Sequence, residues 1–359
     1  MSSNAPTTQS LTDALNDFQV PELGCSLTQA GMLKGVSETG DGWSVAVELP
    51  VPSWPDEAGF ANAIRAHVSR KVSDAGTISV NFSSNVRGKK TGAKVGLQVK
   101  NTIAVGSGKG GVGKSTVAVC LAYGLKILGA KVGLLDADVY GPSIPHLVGA
   151  TGQPQIVEKQ NADGTMIQRL QPIQADGMPM MSLGFMIPED QAVIWRGPML
   201  HKLLTQFIQQ TDWGDLDYLV IDMPPGTGDV AITLSQMVGL AGAVVVCTPQ
   251  KVALLDAVKA INMYKQVKIP VLGVVENMSG DVFGRGGAKA KAEQLGVPFL
   301  GEIGIDAAIR ERGDEGKMSA LVEDGSPVQQ ALKTVCQNVT LEVARNVLSA
   351  PAMPTLDIL

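Results

Sequence analysis

The nine residues Gly108-Lys-Gly-Gly-Val-Gly-Lys-Ser-Thr116 constrain this chain more than any other segment. They satisfy the pattern G-x-x-x-x-G-K-S/T, which has meaning only with a buried strand before it and a helix after it. Both are legible. Ile103-Ala-Val105 leads in, and a helix-forming run leads out from Lys114 to about Leu128. Glycines at Gly108, Gly110, Gly111 and Gly113 let successive backbone N–H groups turn inward as an anion nest, and the helix start adds its positive pole. Lys114 supplies a full charge between the outer phosphates, and the Ser115 hydroxyl is an oxygen ligand suited to Mg²⁺. The whole loop, with Lys109, Val112 and Thr116 included, is expected to bind ATP with Mg²⁺.

From Ile103 onward, apolar runs of strand length alternate with helical stretches. Strands are expected at Lys131–Leu135, Pro179–Leu183, Tyr218–Ile221, Ala243–Cys247, Val271–Val275 and Pro298–Leu300. Helices fit at Met199–Gln210, Leu254–Tyr264, Gly287–Leu295 and from Pro327 to Leu348. Apolar strands separated by helices predict a mostly parallel sheet covered on both faces. Upstream, a helix from Leu11 to about Val20, an alternating strand Trp43–Leu49, a helix from Asp56 to Val72 and a strand Ile78–Phe82 read as a separate small module. The fold class is α/β: a P-loop NTPase domain at 99–359, a small α/β domain at 11–87, and a basic, glycine-containing linker at 88–98. Residues 1–10 are polar and expected to be disordered.

The chain carries 29 Lys and Arg against 34 Asp and Glu, a net charge of −5. Nucleic-acid binding would call for a basic stripe, so no nucleic-acid partner is expected. Cys25, Cys120, Cys247 and Cys336 are far apart and form neither a disulfide framework nor a CxxC pair. The N-terminus lacks the basic and apolar regions of a secretory signal, and the apolar runs are broken at strand length. No membrane span is expected, and the expected compartment is cytoplasmic.

Further strand ends carry the polar residues such a loop needs. Asp217-Tyr-Leu-Val-Ile-Asp222 is an apolar strand closed by Asp222, which is placed to hold Mg²⁺. Met223-Pro-Pro-Gly-Thr-Gly-Asp229 follows, its prolines fixing the exit and Gly226 allowing close approach to the γ-phosphate. Leu134-Leu-Asp-Ala-Asp138 closes another strand with Asp136 and Asp138. A lone Asp there would be a turn former, but a pair at a strand's C-terminal edge lies beside the phosphate loop. Asn277, after the strand at Val271–Val275, can pair with a base edge or form a turn.

The second lysine of the loop, Lys109, resembles the signature lysine of the deviant Walker A class, which includes MinD, ParA and the nitrogenase iron protein. The resemblance implies a homodimer that sandwiches nucleotide, with Lys109 reaching the partner's nucleotide to neutralise transition-state charge. It places Asp138 on the attacking water, Asp136 near the Mg²⁺ shell and Asn277 at the adenine. Lys109, Lys114 and Asp138 form the catalytic set. Within that class, Asp136-Ala-Asp-Val-Tyr-Gly-Pro-Ser-Ile-Pro145, Trp195-Arg-Gly-Pro-Met199, Asp222-Met-Pro-Pro-Gly-Thr-Gly-Asp229, Thr248-Pro-Gln250 and Glu276-Asn-Met-Ser279 resemble the Mrp (ApbC) family. Val20-Pro-Glu-Leu-Gly24 and Val80-Asn-Phe82 resemble the small domain that bacterial members carry in front.

Membership of that family implies ATP hydrolysis to ADP and phosphate, linked to iron–sulfur cluster assembly or transfer. The partners are then apo iron–sulfur proteins or assembly factors. It also implies a 4Fe-4S cluster held between two subunits by a CxxC pair after the Glu-Asn-Met-Ser motif. That pair is missing: Ser279 is followed by Gly280-Asp-Val-Phe-Gly-Arg-Gly-Gly287. The family's Thr-Pro-x-Cys-Pro turn reads Val51-Pro-Ser-Trp-Pro55, with Trp54 in the cysteine's place. No iron–sulfur ligand pair is left. Three readings stand: a cluster carrier, a cluster-free ATP-dependent switch or adaptor, and a MinD- or ParA-like positioning ATPase. An acidic, proline-broken C-terminus and the net charge disfavour the third.

Overall fold

A computed structural model of the chain describes residues 5–88, 98–138, 141–160, 164–186, 197–226 and 239–349. Its contacts divide the chain into a smaller unit, drawn from Met1–Arg87 and Thr340–Leu359, and a larger unit, Gly88–Val339.

The smaller unit contains α1 (Thr8–Asn16), β1 (Gln19–Val20), β2 (Cys25–Ser26), β3 (Leu33–Thr39), β4 (Gly42–Leu49), α2 (Glu57–Lys71) and β5 (Thr77–Ser84). Its sheet runs β3-β4-β5, with β4 antiparallel to β3 and parallel to β5. A parallel pair needs a crossover, and α2 supplies it. Trp43, Val45, Val47 and Leu49 of β4 are buried in alternation, as a strand with one covered face requires. Trp54 stacks on Phe60 at 5.0 Å, and Phe60 on Phe82 at 5.6 Å, so the residue in the cysteine's place is an aromatic core residue.

Three expectations need correction here. Helix α1 begins at Thr8, inside the stretch expected to be disordered, because Thr7 and Ser10 cap it reciprocally. It stops at Asn16, short of Val20. Strand β3 has no signature in the apolar pattern, because most of its side chains are exposed and its ladder to β4 defines it. The larger domain does not run to residue 359: Leu341 and Ala344 pack in one apolar cluster with Leu11, Leu15 and Ile64. Most of the expected linker, 89–97, lies outside the described residues.

The larger unit opens with β6 (Val99–Ser107), α3 (Lys114–Ile127), β7 (Val132–Asp136) and α4 (Ile144–Leu147). A hairpin of β8 (Gln155–Gln160) and β9 (Met166–Gln171) precedes β10 (Ile173–Ala175), β11 (Met178–Ser182), α5 (Gly197–Gln210) and β12 (Leu216–Asp222). Then come β13 (Leu240–Cys247), α6 (Lys251–Gln266), β14 (Val271–Ser279), α7 (Gly287–Leu295), β15 (Phe299–Gly304), α8 (Ala307–Asp314) and α9 (Pro327–Ser349), whose residues from Thr340 on count with the smaller unit. The sheet order is β10-β11-β7-β12-β6-β13-β14-β15, and the β10–β11 pair alone is antiparallel.

Helices α5, α6 and α7 share one apolar core with the sheet. Helix α3, buried along most of its length, packs on β6, β7 and β12. Because seven strands run the same way, their C-terminal ends and the loops that leave them gather on one edge, where open α/β sheets bind ligands. The β8–β9 hairpin escapes the sequence pattern because its faces are largely exposed.

Candidate nucleotide site

Strand β6 ends at Ser107, and α3 starts at Lys114 with Gly113 as its cap, at φ 78°. No side chain caps α3, whereas Asp56 caps α2 and Asp306 caps α8. The first N–H groups of α3 are therefore left for an anion. A Cβ at Gly113 would stand 2.2 Å from Asn277 Nδ2, so only glycine fits. That same Nδ2 donates to the Val112 carbonyl at 2.9 Å. Asn277 thus shapes the phosphate loop through one of its two amide hydrogens. Gly226 N donates to the Ser107 carbonyl at 2.9 Å and ties the Pro-Pro-Gly-Thr loop to the entry of the phosphate loop. Residues 227–229 of that loop, and the expected motif residues at 139–140 and 195–196, lie outside the described residues.

The carboxylates converge at the strand ends. Asp136 of β7 sits in register with Asp222 of β12. Lys114 Nζ donates to Asp222 Oδ1 at 2.6 Å and to Ser115 Oγ at 3.2 Å, and lies 3.4 Å from Asp138 Oδ2. Lys114 is only 6% exposed, so its charge needs these two carboxylates. Asp222 Oδ2 is buried without a hydrogen-bond partner among the described residues. An orphaned carboxylate oxygen is costly as it stands. Beside a serine hydroxyl, it fits a hard divalent cation that takes oxygen ligands.

Burial, and then the neighbouring Asp222 carboxylate, push Asp136 up to about 8. Burial raises Asp222 as well, against the pull of Lys114. Asp136 accepts from Ser182 Oγ at 2.9 Å, Asp138 N at 3.1 Å and Ile144 N at 3.4 Å. It is thus occupied with holding protein, while Asp222 keeps an oxygen in reserve. Ser182 is the site residue that sequence reading misses. Its one signal is a hydroxyl closing the otherwise apolar strand Met178-Pro-Met-Met-Ser182.

Beyond Asn277 the chain closes on itself. Glu276 is fully buried and accepts from Ser279 Oγ, Gly286 N and Ala288 N, each at 2.7 Å. Gly280 and Gly284 exchange two backbone hydrogen bonds, at 2.9 and 2.8 Å, around a turn whose Val282 is exposed. Cys120, Cys247 and Cys336 are buried, and burial raises all three thiols, the first two to about 12. Cys25 is half-buried and also raised by burial. Among the described residues, no group of three or more His, Cys, Asp or Glu side chains is arranged to hold a metal ion. These thiols do not fit an iron–sulfur cluster, which takes four thiolates.

A ParA family model, described as "NUBPL iron-transfer P-loop NTPase", matches residues 98–340. The chain belongs to that family. The "Iron-sulfur cluster carrier protein" of Deinococcus radiodurans is 41% identical over 346 residues, spanning 94% of this chain and 95% of the relative. The "Iron-sulfur cluster transfer protein NUBPL" of Dictyostelium discoideum is 44% identical over 266 residues, 70% of this chain and 80% of the relative. A nucleotide-binding protein from Archaeoglobus fulgidus, solved with ADP, superposes with a TM-score of 0.52 at 37% identity, over 62% of this chain and 88% of that one. The chain is therefore a P-loop ATPase of the ParA family, with a mostly parallel sheet and its site at the strand ends. No described helix is long and apolar enough to cross a membrane.

Proposed function

We propose that this ATPase works as a homodimer and couples ATP hydrolysis to the transfer of iron–sulfur clusters to apo-proteins or assembly factors. The observation that carries the motor half of this reading is Lys114, clasped between Asp222 and Asp138 at the phosphate loop. ATP phosphates draw Lys114 Nζ away from Asp222. Ser115 Oγ and Asp222 are the residues that would hold Mg²⁺, which supplies positive charge to the oxygens of the phosphates when bound. Asp138 orients the attacking water, and Lys109 acts across the dimer interface. Asn277 sets the loop that receives the phosphates. The names of the relatives support the cargo half.

A second reading is favoured by the thiols and by the Gly280–Gly284 turn: an ATP-dependent switch that keeps the motor and carries no cluster. Anaerobic reconstitution with iron and sulfide separates the two. A carrier binds a stoichiometric cluster, loses it when all four cysteines become serine, and passes it to an apo-acceptor. Absence of specific iron binding alongside intact ATP turnover would leave the switch.

A further inference from the structure

Ser182 closes β11 at the level of the sheet where Asp136 closes β7 and Asp222 closes β12. The three side chains form one row across the strand ends, and all are almost wholly buried. The Ser182 hydroxyl donates to Asp136 Oδ2 at 2.9 Å and accepts the Gly184 N–H at 3.0 Å, so its rotamer is held from both sides. The other donors to Asp136 are backbone: Asp138 N on Oδ1 at 3.1 Å and Ile144 N on Oδ2 at a long 3.4 Å. Among the described hydrogen bonds, Ser182 is the only side chain that grips this carboxylate.

What depends on Asp136 is the turn that follows it. Its Oδ1 takes the Asp138 N–H, and Ala137 N donates to the Asp222 carbonyl at 2.9 Å. The turn is thereby fixed to β7 and β12 together, and it sets Asp138 Oδ2 3.4 Å from Lys114 Nζ. We infer that Ser182 is a positioning residue for ATP hydrolysis: its hydroxyl holds Asp136, and through Asp136 the turn that aims Asp138 into the phosphate site. The loop backbone that grips phosphate does not hang on this turn, and Lys114 keeps its shorter, 2.6 Å bond to Asp222 when Asp138 shifts. Loss of the hydroxyl therefore mis-aims Asp138 and costs turnover more than binding.

This inference rests on ATP hydrolysis and on the role proposed for Asp138, and is independent of the cargo. The test uses the full chain with Ser182→Ala and with Ser182→Cys, which keeps the shape but donates poorly. Phosphate release gives kcat and KM, and titration with a fluorescent ATP analogue gives affinity. Both variants are expected to lose about tenfold in kcat, the upper scale of one intramolecular hydrogen bond, with KM and affinity within about twofold of wild type. In an Asp138→Ala background, Ser182→Ala is expected to cost nothing further, because the two act through one group. A folded Ser182 variant with wild-type kcat overturns the inference, as does affinity falling in step with kcat. Should Ser182→Ala not fold, the cysteine variant decides. Wild-type turnover in Asp138→Ala removes the role of Asp138, whereas additive losses leave that role and remove the link from Ser182.

Discussion

At the residue scale, the site is a negotiation among buried charges. Asp136 stands at about 8 instead of its ordinary 3.8, so the folded state holds a proton there that the unfolded state has lost. A raised carboxylate contributes stability that is full below the unfolded value and disappears as pH rises through the folded one. Without Mg²⁺ or nucleotide, the contribution of Asp136 to stability is therefore expected to fall as pH rises from 3.8 towards about 8. Asp136→Asn should flatten that slope in urea denaturation followed across pH. Most of these residues are legible in the sequence, because the motif fixes their types: glycines and Lys114 in the loop after β6, and acids at the ends of β7 and β12. Ser182 and the inward turn of Asn277 are not. Both depend on which strands become neighbours, and β11 reaches β7 only through a sheet order that local sequence does not encode.

At the element scale, the parallel strands are legible because both their faces are buried, so their apolar runs stand out. The β8–β9 hairpin and β3 are mostly exposed, and pairing defines them where burial does not. Nor can the sequence show that the last turns of α9 join the core of the smaller unit, since the apolar period of a helix does not name the surface it packs on. Trp54 gives that unit a test of its own. It is 3% exposed and stacked on Phe60. Trp54→Ala should destabilise the smaller unit by about 3–5 kcal/mol, the usual cost of truncating a buried aromatic. Chemical denaturation followed by tryptophan emission and circular dichroism measures it. Phosphate release should be retained, because every residue of the nucleotide site belongs to the larger unit.

At the scale of the whole molecule, one chain holds a P-loop ATPase site and four thiols that are not arranged, among the described residues, as a metal site. If the active form is a nucleotide-sandwiching dimer, Lys109→Ala should leave ATP binding within about threefold while turnover falls by at least tenfold, the smaller effect expected of losing a charge that acts only in the transition state. Nucleotide titration beside phosphate release checks this, and normal turnover in the variant would rule out the sandwich. The strand-edge site as the motor is the claim on which everything else stands. Steady-state phosphate release by the purified chain, with and without Mg²⁺ and beside Lys114→Ala, tests it most directly. Mg²⁺-dependent turnover is expected in the wild type and none in the variant. Turnover that survives Lys114→Ala, or that ignores Mg²⁺, would contradict it.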